Sequence, residues 1–598
     1  MLTLHETLWE LRNEDLSMRL KMLDLKPEKP TKAPLIDALK AAYAGDGLRR
    51  IWNSLSEVEQ AAIAEAAYDP FHVFEPAKVR AKYGGDAALY VSRETGRPRR
   101  PFGGHETCPT RLHLLLFSAK DISAYYIPDD LAERLRQFVP EPDPTTPDAT
   151  EEPPKEEGME IRVTPQESVL EVMALLRLAE SGEFRVSDKT AMPSAAGVRK
   201  ILPCLPMGDF YPPDVAFRSG KKSREQEIGA IKPVAWARLL HNAGYVDVRG
   251  AKSKLTRKGI KALSVPPHET IRDLWVKWVE KSPHDEFNRV EAIKGQRGKG
   301  NPMTDKMDRR LAVIDALWDC PVGKWIDTDN FSDFMIAADH NFEVARVPSR
   351  LYFGDPHYGN LGYAGFGEWN ILQYRYILCF LFEYAATLGL VDVAYVHPKD
   401  AIDDLGDIWG ADELEWLSRY DGLRAFRLTE LGAYCLGITD DFVPALPEST
   451  LQLEVGTRLV IRRKAGILNA ADRLLLESWA DPVDTDTWRL NLALARQAIE
   501  RGQKAEEFAE FLRTRDPQPL PQTVEGFLEK AERDGRAVRT CGEAMLFECR
   551  DAETANLICS HKDLKNICHP SGSTHITVLA PHAEKFRNLV RNLGLGVI

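Results

Sequence analysis

The chain writes one short pattern twice. An apolar, helix-like run reaches a glycine, a β-like stretch follows, and Leu-Thr-x-x-Gly opens the next helix. In the first copy Trp236-Ala237-Arg238-Leu239-Leu240 runs to Ala243-Gly244-Tyr245-Val246, and Leu255-Thr256-Arg257-Lys258-Gly259 follows after Lys252 and Lys254. In the second, Phe380-Leu381-Phe382 runs to Leu388-Gly389-Leu390-Val391-Asp392-Val393, and Leu428-Thr429-Glu430-Leu431-Gly432 closes it much later. Glycine supplies the left-handed residue on which a helix stops, and valine-rich stretches favour a strand. A threonine placed where a strand hands over to a helix caps the exposed amides. The pattern therefore predicts helix, hairpin and helix at two places.

This order resembles the winged helix-turn-helix family, whose helix before the glycine enters the major groove while the hairpin touches the DNA backbone. The alternative is a generic helix-hairpin-helix without nucleic acid, because a fold does not dictate its use. Charge separates the two copies. From Arg218 to Lys261 there are twelve Lys or Arg against three acids, although the whole chain carries −12. Phosphate contact needs local Lys and Arg, so Lys221, Lys222, Arg224, Arg238, Lys252, Lys254, Arg257 and Lys258 are the candidate DNA contacts. The plain alternative for such a run is a solvated face. The second copy inverts the sign, with Asp392, Asp400, Asp403, Asp404, Asp407, Asp412, Glu413, Glu415 and Asp421 between Gly389 and Leu428. An acidic wing repels phosphate, which makes Asp403, Asp404 and Asp407 candidates for a protein partner.

A length of 598 residues with 44% apolar residues predicts a multidomain chain of about four domains. Residues 1–138 read as helical, with a capping box from Ser56 to Glu59. Residues 139–158, rich in proline and acid, read as an extended, mobile linker. A basic winged-helix domain is expected over 159–268, with Ser187-Asp188-Lys189-Thr190 as a turn-like helix start. A helical connector follows over 269–345, then a second winged-helix domain with an acidic, enlarged wing over 346–440. The expected class is mainly α with winged-helix (α+β) units and an α+β domain over 450–598. No apolar run reaches membrane-spanning length, and Met1-Leu2-Thr3-Leu4-His5-Glu6 lacks a secretory pattern, so a cytoplasmic location is expected. Nine cysteines without a Cys-x-x-Cys pair fit reduced thiols.

The last segment carries a second resemblance. Asp486-Thr487-Trp488-Arg489-Leu490, then Ala498-Ile499-Glu500-Arg501-Gly502 with Glu506-Glu507-Phe508-Ala509-Glu510-Phe511-Leu512, then Pro519-Leu520-Pro521-Gln522-Thr523-Val524 resemble the helicase-associated, damage-recognition-like domain of XPB-type helicases. That domain also occurs in bacterial proteins lacking a motor. Thr523 departs from the more usual asparagine. The resemblance implies DNA engagement beside a separate helicase or nuclease.

Catalytic signatures are missing. Gly220-Lys221-Lys222-Ser223 and Gly298-Lys299-Gly300 lack the upstream glycine of a phosphate-binding loop, and Glu291-Ala292-Ile293-Lys294 is one residue too long for a nuclease metal site. Cys549, Cys559, His561, Cys568, His569 and His575 lack paired metal-ligand spacing, so neither cofactor nor metal is expected. The sequence and its resemblances thus predict a non-catalytic DNA-binding subunit, directed at duplex, that acts with a helicase or nuclease partner in genome maintenance or anti-phage defence. The alternatives are a protein scaffold and a transcriptional regulator.

Overall fold

The structure, a computed structural model, describes residues 2–26, 31–93, 107–118, 124–213, 226–249, 252–297, 300, 302–355, 357, 360–361, 369–402, 405, 410–411, 414–444 and 451–598. The side chains of Arg249, Lys252 and Asp400 lie outside that description. The architecture is mixed α and β, and the chain divides into two compact units. One comprises Met1–Thr450 with Gly466–Leu475, the other Leu451–Ala465 with Leu476–Ile598.

At the N-terminus, helices from Leu4 to Arg136 enclose a core that includes Leu8, Leu16, Ile36, Leu39, Ile63 and Leu131. The Ser56–Glu59 capping box is present: Ser56 Oγ accepts from Glu59 N at 3.4 Å and Glu59 accepts from Ser56 N at 2.9 Å. A second capping box, Thr3 with Glu6, starts the first helix. The region also holds a small sheet of Val73–Phe74, Tyr125–Tyr126 and Phe117–Ser118, too short to read as strands in sequence.

The proline-rich stretch over 139–158 forms no helix and is bonded to the rest of the unit. Thr150 exchanges both backbone hydrogen bonds with Trp325, each 2.8 Å, and Arg424 Nε donates to Glu156 at 2.8 Å. Lys324 pairs with Glu151. Acids that read as linker charge are thus partners that strap the segment to a sheet.

From Val169 to Leu436 the segments read as three separate domains share one hydrophobic core. A four-stranded antiparallel sheet orders Trp325–Asp327, Leu423–Leu428, Val391–Tyr395 and Glu160–Arg162. The two strands of the second copy are therefore central. The helical run Trp369–Ala385, with π-helical turns at both ends, is buried at every residue from Ile371 onward. Trp278 stacks on its Tyr384 with ring centroids 4.5 Å apart, and Phe380 lies 5.3 Å from the same Trp. Such aromatic burial contributes about 1.5–3 kcal/mol per side chain. The predicted helix start at Ser187–Thr190 is a turn instead. The helix begins after Pro193, because a residue before proline favours extended backbone, and Ser194 caps Ala195–Ile201 by accepting from Gly197 N at 3.2 Å.

In the second unit, a sheet orders Gln452–Gly456, Val460–Ala465, Thr487–Leu490 and Ala480–Asp484. Helices Leu492–Glu500, Ala505–Arg513 and Gln522–Gly535 follow. Trp479 stacks on Phe508 at 4.7 Å and donates to Gln503 at 2.5 Å. Prolines confine the approach to the third helix, which starts directly after Pro521. A three-stranded sheet of Ala544–Glu548, His575–Leu579 and Cys568–Pro570, with helices Ala552–Ser560 and Ala583–Asn592, ends the chain.

Candidate nucleic-acid interface

The first copy is built as its residues dictate. The helix Lys232–Asn242 ends at Gly244, whose φ of 74° is the left-handed value that favours glycine. Val246–Arg249 then pairs with Lys252–Leu255 in an antiparallel hairpin. Thr256 closes the unit: its Oγ1 donates to Gly244 O at 2.7 Å and accepts from Gly259 N at 3.1 Å. Gly259 has no side chain for a steric reason. A Cβ there would stand 2.3 Å from Tyr245 O.

The candidate contacts separate in space. Lys254 and Arg257 are exposed, and Lys261 lies one helical turn after Arg257 on the same exposed face of Arg257–Ala262. Lys254 stands opposite Asp247 across the hairpin, which offsets part of its charge. Lys258 is half-buried and engaged, donating to Ala243 O at 2.9 Å, pairing with Asp273 at 2.5 Å and lying 4.2 Å from the Tyr245 ring centroid. Lys221, Lys222 and Arg224 lie outside the described residues, as does the Lys252 side chain.

Arg238 must be withdrawn from the surface. It is 6% exposed, and its Nη1 donates to Tyr384 at 3.1 Å. Burial disfavours its charge, but Tyr384 and Glu383 outweigh that and hold it firmly cationic. Lys232, counted in the basic run, is also interior, pairing with Glu171 at 2.5 Å and Glu167 at 2.8 Å. Asp209 accepts from the backbone N of both Ile231 and Lys232 at 2.9 Å, holding the start of this helix. Every residue from Lys232 to Leu240 is buried, so the helix has no face to lay in a major groove. Among the described residues of this unit, the exposed cations are therefore on the hairpin and the helix after it, not on the helix before Gly244.

A count confined to residues 218–261 missed other cations nearby. Arg185, Lys189 and Arg199 are exposed on the segment and helix beside the hairpin. Ser253 Oγ donates to Phe184 O, and Gly197 lies so close to Arg185 that a Cβ would stand 2.4 Å from its carbonyl oxygen.

On the second copy, Asp403, Asp404 and Asp407 lie outside the described residues. Two other acids of the expected acidic wing are internal. Asp392 is buried against Arg427 at 2.6 Å and accepts from Thr164 N at 2.9 Å. Asp421 is buried beside Arg375 at 3.3 Å. Burial raises the pKa of both carboxyls despite these partners. They are structural charges rather than a partner-facing surface.

Among the described residues no group of three or more His, Cys, Asp or Glu is arranged to hold a metal ion, and no helix is long and apolar enough to cross a membrane. The chain matches no protein-family model, and no curated protein matches it.

Proposed function

We propose that this chain is a non-catalytic DNA-binding subunit that grips duplex backbone and acts beside a helicase or nuclease in genome maintenance or anti-phage defence. The observation that carries the reading is the exposed cationic set Lys254, Arg257 and Lys261, mounted on a hairpin and helix fastened at both ends by Thr256. The buried helix before Gly244 narrows the proposal to sequence-independent contacts, since phosphate positions a protein without specifying sequence. The helicase-associated resemblance of residues 450–598 supports the choice of partner class, through Trp488 in a core strand and the Pro519–Val524 lead into a helix.

The test is duplex binding of the full chain across a salt series. Replacing Lys254, Arg257 and Lys261 together by alanine is expected to flatten the slope of log affinity against log salt by about 0.9 per lost contact, equally for unrelated sequences. Unchanged affinity and slope would overturn the reading. Lys258→Ala, which removes an internally engaged cation, is expected to change the slope least.

A further inference from the structure

Among the described residues, the helix Lys306–Trp318 carries an apolar stripe that stays exposed. Its buried side faces the core through Arg309, Arg310, Val313, Ala316 and Leu317. Its outward side presents Met307 at 41%, Leu311 at 38% and Trp318 at 55% exposure, with Ile314 half-buried between them and Val322 at 39% just beyond the helix. At about 100° per residue, Met307, Leu311, Ile314 and Trp318 fall within about 60° of one another. Isolated exposed apolar residues are ordinary, whereas a contiguous stripe ending in a half-exposed tryptophan marks an interaction surface. Tryptophan is among the residues that most often dominate such interfaces.

Charge selects the occupant. Asp308, Asp315 and Asp319 are exposed and line one flank of the stripe, about 80–120° round the same wheel. No cation of the described residues pairs with Asp308 or Asp315, while Asp319 meets only His340 at 3.1 Å. Asp315 and Asp319 sit at the helix C-terminus, where the backbone dipole disfavours negative charge, and no basic residue occupies that last turn. Asp308, in the first turn, suits the dipole, but Asp315 and Asp319 do not serve helix stability. A second copy laid antiparallel on the stripe would bring both acidic flanks to one side of the seam, where like charges repel.

We propose that this face docks a basic amphipathic helix of a partner protein, with apolar side chains on Leu311 and Trp318 and Lys or Arg along the aspartates. The mode is a helix laid on an apolar surface, read through contacts one turn apart. It is independent of the DNA reading, since it uses a different face and a different ligand class.

The experiment uses the full chain and two synthetic peptides of helical leucine spacing, one with lysines along a single edge and a twin with glutamates there, followed by fluorescence anisotropy. The lysine peptide is expected to bind at least about tenfold more tightly than its twin. Trp318→Ala should weaken it at least about tenfold, a typical loss for an interface anchor. Reversing Asp308→Lys with Asp315→Lys should transfer preference to the glutamate peptide. Because an acidic chain attracts cations generally, Asp440→Lys with Asp441→Lys, an equal charge change on exposed residues elsewhere, should leave binding unchanged. Absence of binding, indifference to Trp318→Ala, or an equal response to the Asp440 and Asp441 reversal would each overturn the proposal. So would concentration-dependent self-association abolished by Trp318→Ala.

Discussion

The two copies of the Leu-Thr-x-x-Gly pattern share their local construction and differ in where the fold places them. Both stop a helix on a left-handed glycine, with φ of 74° at Gly244 and 81° at Gly389. In both, threonine donates back to that glycine's carbonyl, at 2.7 Å from Thr256 and 2.8 Å from Thr429. It also accepts from the second glycine of the pattern, at 3.1 Å and 2.9 Å. Yet the first copy ends in a two-stranded hairpin with exposed cations, whereas the strands of the second copy lie in the middle of a four-stranded sheet. Identical capping chemistry thus serves an outward arm in one place and an interior beam in the other. The short pattern specifies its own bonds but not its neighbours.

The difference can be broken most sharply at the interior charges. Glu383 on the central helix is fully buried, paired with Arg289 at 2.9 Å and bonded by Tyr420. Glu383→Ala leaves the buried Arg289 with Glu291, exposed and 3.9 Å away, as its remaining carboxylate and is expected to cost about 3–5 kcal/mol in urea unfolding, far more than alanine at Arg257 or Lys261. A loss below that of the surface variants would contradict the interior assignment.

Steric tests come next. Gly432→Ala would set a Cβ 2.1 Å from Leu390 O, and Gly259→Ala one 2.3 Å from Tyr245 O. Both are expected to destabilise by about 1–3 kcal/mol, with the interior site the worse because its surroundings cannot relax. Equal effects would mean that the first copy is held as rigidly as the second.

Titration reaches a third part of the comparison. His284, near Arg238, has its pKa lowered to about 4, first by burial and then by the Arg238 charge. His113 in the N-terminal core is also lowered to about 4, by burial and then by Arg19. Below pH 6.5 the unfolded chain binds these protons and the folded chain does not, so stability falls as pH drops from about 6.5 to 4. The slope is at most about 1.4 kcal/mol per pH unit for each histidine. His284→Gln and His113→Gln should each flatten the pH dependence of the melting temperature in that window.

The smallest expected difference lies in the caps. Thr429→Ala, at a buried site, should cost up to about 2 kcal/mol, while Thr256→Ala, at a half-exposed one, should cost about 0.5–1 kcal/mol. Hydrogen exchange at Gly432 and Gly259 measures both losses at the amides concerned.

Much of this was legible in the sequence wherever the deciding interaction is short. Ser56 finds Glu59, Thr256 finds Gly259 and Thr429 finds Gly432, all three residues apart, and Gln522 starts a helix because Pro521 precedes it. The candidate interface was legible only in part. Lys232 and Arg238 counted as surface cations because their partners are remote: Glu171 lies 61 residues from Lys232, and Tyr384 lies 146 residues from Arg238. Asp392 and Asp421 counted as an acidic surface for the same reason, with Arg427 and Arg375 as their hidden partners. The proline-rich segment read as free because nothing local marks Thr150 for pairing with Trp325, 175 positions away.

By itself the sequence determined where helices stop, where caps form and where prolines force extended chain, because those outcomes depend on backbone sterics and on hydrogen bonds spanning three or four residues. Tertiary structure alone decided which charges meet water and which are sealed in the core, that three apparent domains share one interior, and that the helix Lys306–Trp318 keeps an apolar stripe outside. Burial is a property of the whole packed chain, and a lysine carries no local mark of the carboxylate that will neutralise it.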